Sequence, residues 1–305
     1  PEMTMPEIEL RSPLRELLSE LTPTVVICAL ILVGFILVVI FAPLIAPYGE
    51  GEILTNDSFA LQGSEGKAQP GSTLLLGGDF LGRDILSRLI YGARVTLSVA
   101  LAISLLAFLL GSTIGFLAAT IRGTADAILS RIVDALISFP SIMIALIVVT
   151  SLGSTFTVLI ITVALIDATR VFRVARALAM DIIVQDYIEA ATVRGEGLGW
   201  IMWQEVLPNA LGPLAAEFGI RFTYAILFIS ALSFLGLGVQ PPHSDLGLMV
   251  KENIQALLYA SAYDDLRYAL ICISPALCIA TVTVSVNLIV DWYLKSTGAS
   301  LPEEL

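Results

Sequence analysis

Long apolar runs separated by short polar stretches dominate this chain. No charged residue lies between Glu20 and Glu50, and none between Arg94 and Arg122. A helix that crosses a bilayer needs about 20 mostly apolar residues. The first run therefore predicts a span over Val25 to about Ala46, and the second predicts one after Arg94. Further runs predict a third span from near Ile128 to Val149, a fourth from about Phe156 to Val174, a fifth after Pro208 and a last one from about Tyr268 to Ile289. The pattern reads as an all-α membrane protein with about six transmembrane helices. Pro140 falls within the third span and should kink it. A cleaved signal peptide is the competing reading of the first run, but its polar leader and over-long apolar core count against that.

The polar stretches give the organisation. Residues 1–23 are acidic, and Leu10, Leu14, Leu17, Leu18 and Leu21 recur at helical spacing, which predicts a short amphipathic surface helix. Residues 24–46 form the first span. Residues 47–90 read as an extracytoplasmic loop that ends in an interfacial helix, with Ile85, Leu86, Leu89 and Ile90 on one face. Residues 91–295 hold five further spans, and 296–305 form a cytoplasmic tail. A loop over 243–266 carries a short helix around Val250 to Leu258. The longest polar interruption of the second half runs from Asp186 to Asn209. It predicts a short helix, a tight turn at Gly195, a second short helix and a new span that starts near Pro208. With the N-terminus inside, nine Lys and Arg side chains face the cytoplasm and six face outward. That bias follows the positive-inside rule and puts Asp186–Asn209 in the cytoplasm.

Composition removes several function classes. Hydrophobic residues make up 57% of the 305 and charged ones 14%, with a mean hydropathy of +0.90, against about 25% charged in an average globular domain. A net charge of −11 argues against nucleic acid as a partner. Cys28, Cys272 and Cys278 sit in apolar runs and read as small buried hydrophobes. His243 has no Cys or His near it in sequence, so no metal site is expected. Gly66-Lys67 lacks the glycine and hydroxyl residue of a phosphate loop, and Gly195, Gly197 and Gly199 lack dinucleotide spacing. No cofactor is expected in this chain, and any ATP hydrolysis must come from another. Within the fifth span, Glu217 and Arg221 lie four residues apart on one face. They should pair, either as a structural ion pair or as part of a gate or solute path.

Three motifs carry a family resemblance. Glu189-Ala190-Ala191, Gly195 and Leu207-Pro208 resemble the EAA segment of inner-membrane permease subunits of ATP-binding-cassette (ABC) importers. Leu76 to Arg94 is similar to a stretch of the C-type permease of the peptide and nickel group, with Gly78 where the family has Thr. Ala231 to Pro242 matches a third motif of that group without substitution. The resemblance implies a type I permease fold with a cytoplasmic coupling helix that docks in a groove of a separate ATPase. Tyr187, Glu189, Ala190, Ala191, Gly195, Leu207 and Pro208 would make or transmit that contact. It further implies a bacterial inner-membrane, multi-pass protein with a cytoplasmic N-terminus, embedded in the lipid bilayer. Its partners would be a homologous second permease, two ATPase subunits that bind ATP and Mg, and an extracytoplasmic binding protein delivering di- or oligopeptides.

Asp79, Arg83, Asp84, Gln240 and Pro241 are the residues expected to touch the binding protein, and Pro140, Glu217 and Arg221 those expected near the path. The chain also departs from its relatives. Leu246 stands where the family usually has Trp, and the ending around Trp292 to Lys295 differs. Trp200, Trp203, Gln204 and Glu205 stand where relatives often carry basic residues, so the matching ATPase groove should be less acidic or more apolar. A nickel or other small-solute importer is the alternative within the family. An ATP-independent secondary transporter or channel is the alternative outside it, and it would be expected to show internal repeats and more intramembrane charges.

Overall fold

A computed structural model describes residues 22–61, 63 and 73–296 of the chain. The surface helix expected over 1–23, the Gly66-Lys67 pair and the tail beyond Ser296 lie outside these residues. The described residues form helices joined by loops, and isolated bridges from Ile53 to Arg83 and from Gly78 to Asp84 tie the loop that follows the first helix.

Helix α1, Pro23–Ile45, follows the first apolar run closely and buries only Val25, Cys28 and Ala42. Helix α2, Ile85–Ile121, is 37 residues long. The Asp84 carboxylate caps it, accepting the Ser87 backbone N–H at 2.8 Å. At 1.5 Å per residue α2 measures about 55 Å, against about 30 Å of hydrocarbon. The separate interfacial helix expected before the second span is thus the first turns of α2, because no helix breaker divides the two.

The third span departs from expectation more sharply. Helices α3, Gly123–Ile137, and α4, Ser141–Leu152, meet at a bend of 83°. A proline disfavours helical backbone in the residue before it and lacks an N–H to continue the ladder. Pro140 therefore breaks the span, where a kink was expected, and neither half is long enough to cross alone.

Helix α5, Phe156–Ile183, runs well past Val174 and carries Asp167, Arg170, Arg173 and Arg176. Its arginines tie down the broken pair: Arg176 meets Asp126 at 2.5 Å, Arg173 meets Asp134 at 2.5 Å, and Arg170 donates to the Ser141 hydroxyl at 3.0 Å.

A short helix α6, Asp186–Val193, precedes α7, a continuous 38-residue helix over Leu198–Leu235. The second short helix and the fifth span are therefore one element. A π-helical turn at Ile201–Val206 lies just ahead of Pro208. Proline cannot donate to the ladder, and the wider turn lets the helix continue past it. Two helices, α8 over Leu246–Glu252 and α9 over Ala256–Tyr263, replace the single one expected around Val250 to Leu258. Helix α10, Leu266–Ser296, outlasts the predicted last span and takes in Asp291 and Lys295.

Among the described residues, α1, α2, α7 and α10 are long and apolar enough to cross a membrane, and the α3–α4 pair makes five if counted as one broken span. The sixth expected span is α5, whose charges set it apart by composition.

The core lies where α2, α5, α7 and α10 meet, around Ala100, Ile103, Ala164, Ile226, Ile229 and Val282. Gly111 and Gly115, one helical turn apart, let α2 and α5 approach closely. A β-carbon at Gly111 would stand 2.7 Å from the Ala168 carbonyl oxygen, and one at Gly115 would stand 2.8 Å from that of Phe172. Small residues at this spacing bring helices together where lipid provides no hydrophobic drive.

Candidate functional site

Three polar sites interrupt the apolar bundle. The first is the surface element that begins at Asp186. Ile188 of α6 turns inward and joins Phe116, Ala175, Ile201 and Val206 in a satellite core, and Ala191 on the same helix is fully buried. Tyr187, Glu189 and Ala190 turn outward. Helix α6 ends in a Schellman motif, in which Glu196 N–H donates to the Ala191 carbonyl at 3.2 Å and Gly195 N–H to that of Thr192 at 2.9 Å. Gly195 supplies the left-handed conformation this needs, with φ of 84°, and a β-carbon there would meet no atom within 4 Å. Its requirement is conformational, and the space beside it is open. Leu207 is half-buried and Pro208 exposed at the start of the α-helical run of α7. A cleft of about 740 Å³ lies alongside, with Arg122, Gln185, Glu189 and Glu196 among its lining.

The second site is inside the bundle. Arg221 Nε donates to Glu217 Oε1 at 2.5 Å, the pair expected from their spacing. On the facing helix, Arg170 Nη1 donates to Asp167 Oδ1 at 3.2 Å, and Asp167 is only 4% exposed. Arg221 lies over the ring of Tyr224, and Tyr224 lines one cavity with Asp167 and Arg170, so two acids and two arginines from α5 and α7 stand beside one another as a balanced cluster. Pro140 is exposed and joins it only indirectly, because the break it causes presents Ser141 to Arg170.

The third site ties the loop after α1 to α8. Asp79 Oδ2 accepts from Arg83 Nε and Arg88 Nη1, each at 2.6 Å, and Glu252 Oε2 meets the same two arginines at 3.1 and 2.8 Å. Arg88 is 1% exposed and also donates to the Ser244 hydroxyl. Asp79, Arg83 and Asp84 were expected to face a partner, yet all three are enclosed. Taking charges out of water costs several kcal/mol each unless they are paired; the chain pairs Asp79 and Arg83 with its own residues, while Asp84 accepts from the Ser87 amide and hydroxyl. Gln240 and Pro241 are exposed, and the Gln240 amide caps the Gly236 and Gly238 carbonyls at 3.1 Å.

Next to this site, Asp245 accepts from the Thr96 hydroxyl at 2.6 Å and from Leu248 N–H at 3.1 Å. Burial raises its carboxyl above the ordinary value, against hydrogen bonds from Thr96, Ser233 and the Leu248 and Gly247 amides. Burial raises Asp84 in the same way, against its bonds from Ser87 and Leu86.

These geometries meet one family match. Residues 111–297 fit the model of the binding-protein-dependent transport system inner membrane component. The chain belongs to this family. The matched stretch holds both the surface element and the intramembrane cluster of this transport component, whereas the Asp79–Arg88 box begins ahead of it. A dipeptide transport system permease protein DppC of Alkalihalophilus pseudofirmus is 34% identical over 246 residues, which cover 80% of this chain and 78% of that protein. A di/tripeptide transport system permease protein DppC of Pseudomonas aeruginosa is 35% identical over 258 residues, covering 83% and 80%. This inner membrane component is accordingly a multi-pass membrane protein of a system that also includes a binding protein, an ATPase and a second permease.

Sequence reading missed Asp167 and Glu252 as participants. Glu252 pairs with Arg83 and Arg88, far off along the chain, and Asp167 lies outside the three motifs. The available signal for Asp167 was Arg170, three residues on along the same helix.

Proposed function

We propose that this chain is the permease subunit of an ATP-driven importer of di- or oligopeptides handed over by an extracytoplasmic binding protein. It pairs with a homologous second permease, and two ATPase subunits hold ATP and Mg while this chain carries no cofactor. The N-terminus is cytoplasmic, which puts α6 on the ATPase side.

One observation carries the reading. At the end of the bundle, α6 offers Tyr187, Glu189 and Ala190 to a partner, is anchored from behind by Ile188 and Ala191, and has open space beside Gly195. A small outward residue such as Ala190 allows close approach by another protein. The element sits directly before α7, which runs without a break to Leu235 and holds Glu217 and Arg221. Movement of the surface element when the ATPases close is therefore passed along α7 to the charge cluster. The names of the relatives support peptides as the solute.

The test is purification of the tagged chain from membranes that express all subunits. The second permease and the ATPases should come with it, and Ala190→Trp should release the ATPases while keeping the second permease. Recovery of the unmutated chain alone would overturn the reading.

A further inference from the structure

Two cavities adjoin the charge cluster and share Ile166 and Arg170 as a common wall. One, of about 240 Å³, is lined by Asp167, Arg170, Tyr224 and Phe228 among others. The other, of about 310 Å³, lies in the bend between α3 and α4 and is mostly apolar, with Ile144, Val148 and Leu165 in its wall beside Ser141, Thr162 and Thr169. The Arg221 guanidinium lies 5.4 Å from the centre of the Tyr224 ring, which brings a second cation to the edge of the first cavity.

We propose that Asp167, Arg170 and Arg221 form an intramembrane transit site for a zwitterionic solute, a short backbone with a free ammonium at one end and a free carboxylate at the other. The inference rests on the importer reading and names the solute chemistry that the path accepts. Two carboxylates and two guanidiniums sum to zero. A charge deep in a membrane protein is costly unless it is paired, so a guest with a single net charge would leave one group of the cluster uncompensated. A zwitterion leaves none. Its ammonium takes a place on Asp167 and its carboxylate takes the free N–H groups of Arg170 or Arg221, so pairs are exchanged and no pair is lost. Tyr224 holds the guanidinium by its ring face, and the apolar cavity across Arg170 has room for a side chain of the guest.

The experiment uses the assembled transporter in lipid nanodiscs without its binding protein, so that selection by the binding protein does not enter. Binding of dialanine, N-acetyl-dialanine and dialanine amide is compared by calorimetry. The unmodified dipeptide should bind at least about tenfold tighter than either blocked form, since each blocked form lacks one charged hydrogen-bonding group. Asp167→Asn should remove the preference over the N-acetyl form and keep the preference over the amide. Arg170→Gln combined with Arg221→Gln should do the reverse. This crossed pattern cannot come from misfolding, which would weaken all three peptides together. Equal binding of the three forms, no binding of any, or loss of both preferences in both variants overturns the transit site. ATP-dependent uptake measured in parallel separates the two claims. If uptake needs ATP and the charge pattern is missing, only the site falls. If uptake proceeds without ATP, the importer reading falls.

Discussion

At the scale of single residues, buried charge decides most of what can be tested. Arg88 contacts Asp79, Glu252 and Ser244 at once from a position 1% exposed. Arg88→Ala should cost about 3–5 kcal/mol, because it leaves Asp79 and Glu252 with one cation between them. Thermal unfolding of the assembled transporter in detergent would check this, and an unchanged midpoint would count against the box as a stabilising unit. Asp84 makes a pH prediction. Its folded value is raised by burial, so the folded state holds the proton more tightly than the unfolded chain does. Its contribution to stability is present below the ordinary value of 3.8 and is lost as pH rises through the raised one. Asp84→Asn keeps an oxygen for the Ser87 donors and removes the titration. The variant should therefore lose less stability than the natural chain as pH rises above the ordinary value of 3.8, and equal losses would contradict the assignment. The Glu217–Arg221 pair was readable from its spacing alone, because four residues on a helix is a local rule. The enclosure of Asp79, Arg83 and Asp84 was not, since it depends on Glu252, which lies 169 positions from Arg83 along the chain.

At the scale of elements, apolar run lengths located α1, α2, α7 and α10, because bilayer thickness sets a minimum length that composition reports directly. The runs did not reveal that a helix can overshoot the membrane, as α2 and α5 do, or that one proline can turn a span into two helices at 83°. Those outcomes depend on what the neighbouring helix offers. The arginines of α5 supply partners for Asp126, Asp134 and Ser141, and so hold α3 and α4 away from a straight course. The glycines of α2 were in view, but their partner helix was not. Gly111→Leu or Gly115→Leu should force α2 and α5 apart, since a β-carbon alone already stands under 3.0 Å from backbone oxygen at both sites. Overpacking of this kind costs about 1–3 kcal/mol or more. Reduced recovery of folded protein on size-exclusion chromatography would report it, and full recovery would show that the helices can yield. The π-turn ahead of Pro208 suits the role proposed for α7, and Trp203 stands exposed within it. Exchange of Glu205 for Arg in this turn should weaken coupling to the cognate ATPase, read as lower uptake per ATP hydrolysed. An unchanged ratio would remove the idea that this chain needs a less acidic groove.

At the scale of the whole molecule, family membership joins a surface element at one end of the bundle to a balanced charge cluster inside it. The family was legible because three motifs sit in local sequence, whereas the cluster needed α5 and α7 side by side. In the proposed importer, solute moves only when ATPases act on α6. The most direct measurement is uptake of radiolabelled dipeptide into proteoliposomes that hold the complete transporter, with binding protein outside and ATP on the α6 side. Uptake should depend on ATP and fall to background with Ala190→Trp, while the charge cluster is left intact. Uptake by this chain alone, driven by a solute or ion gradient without ATP, would contradict it.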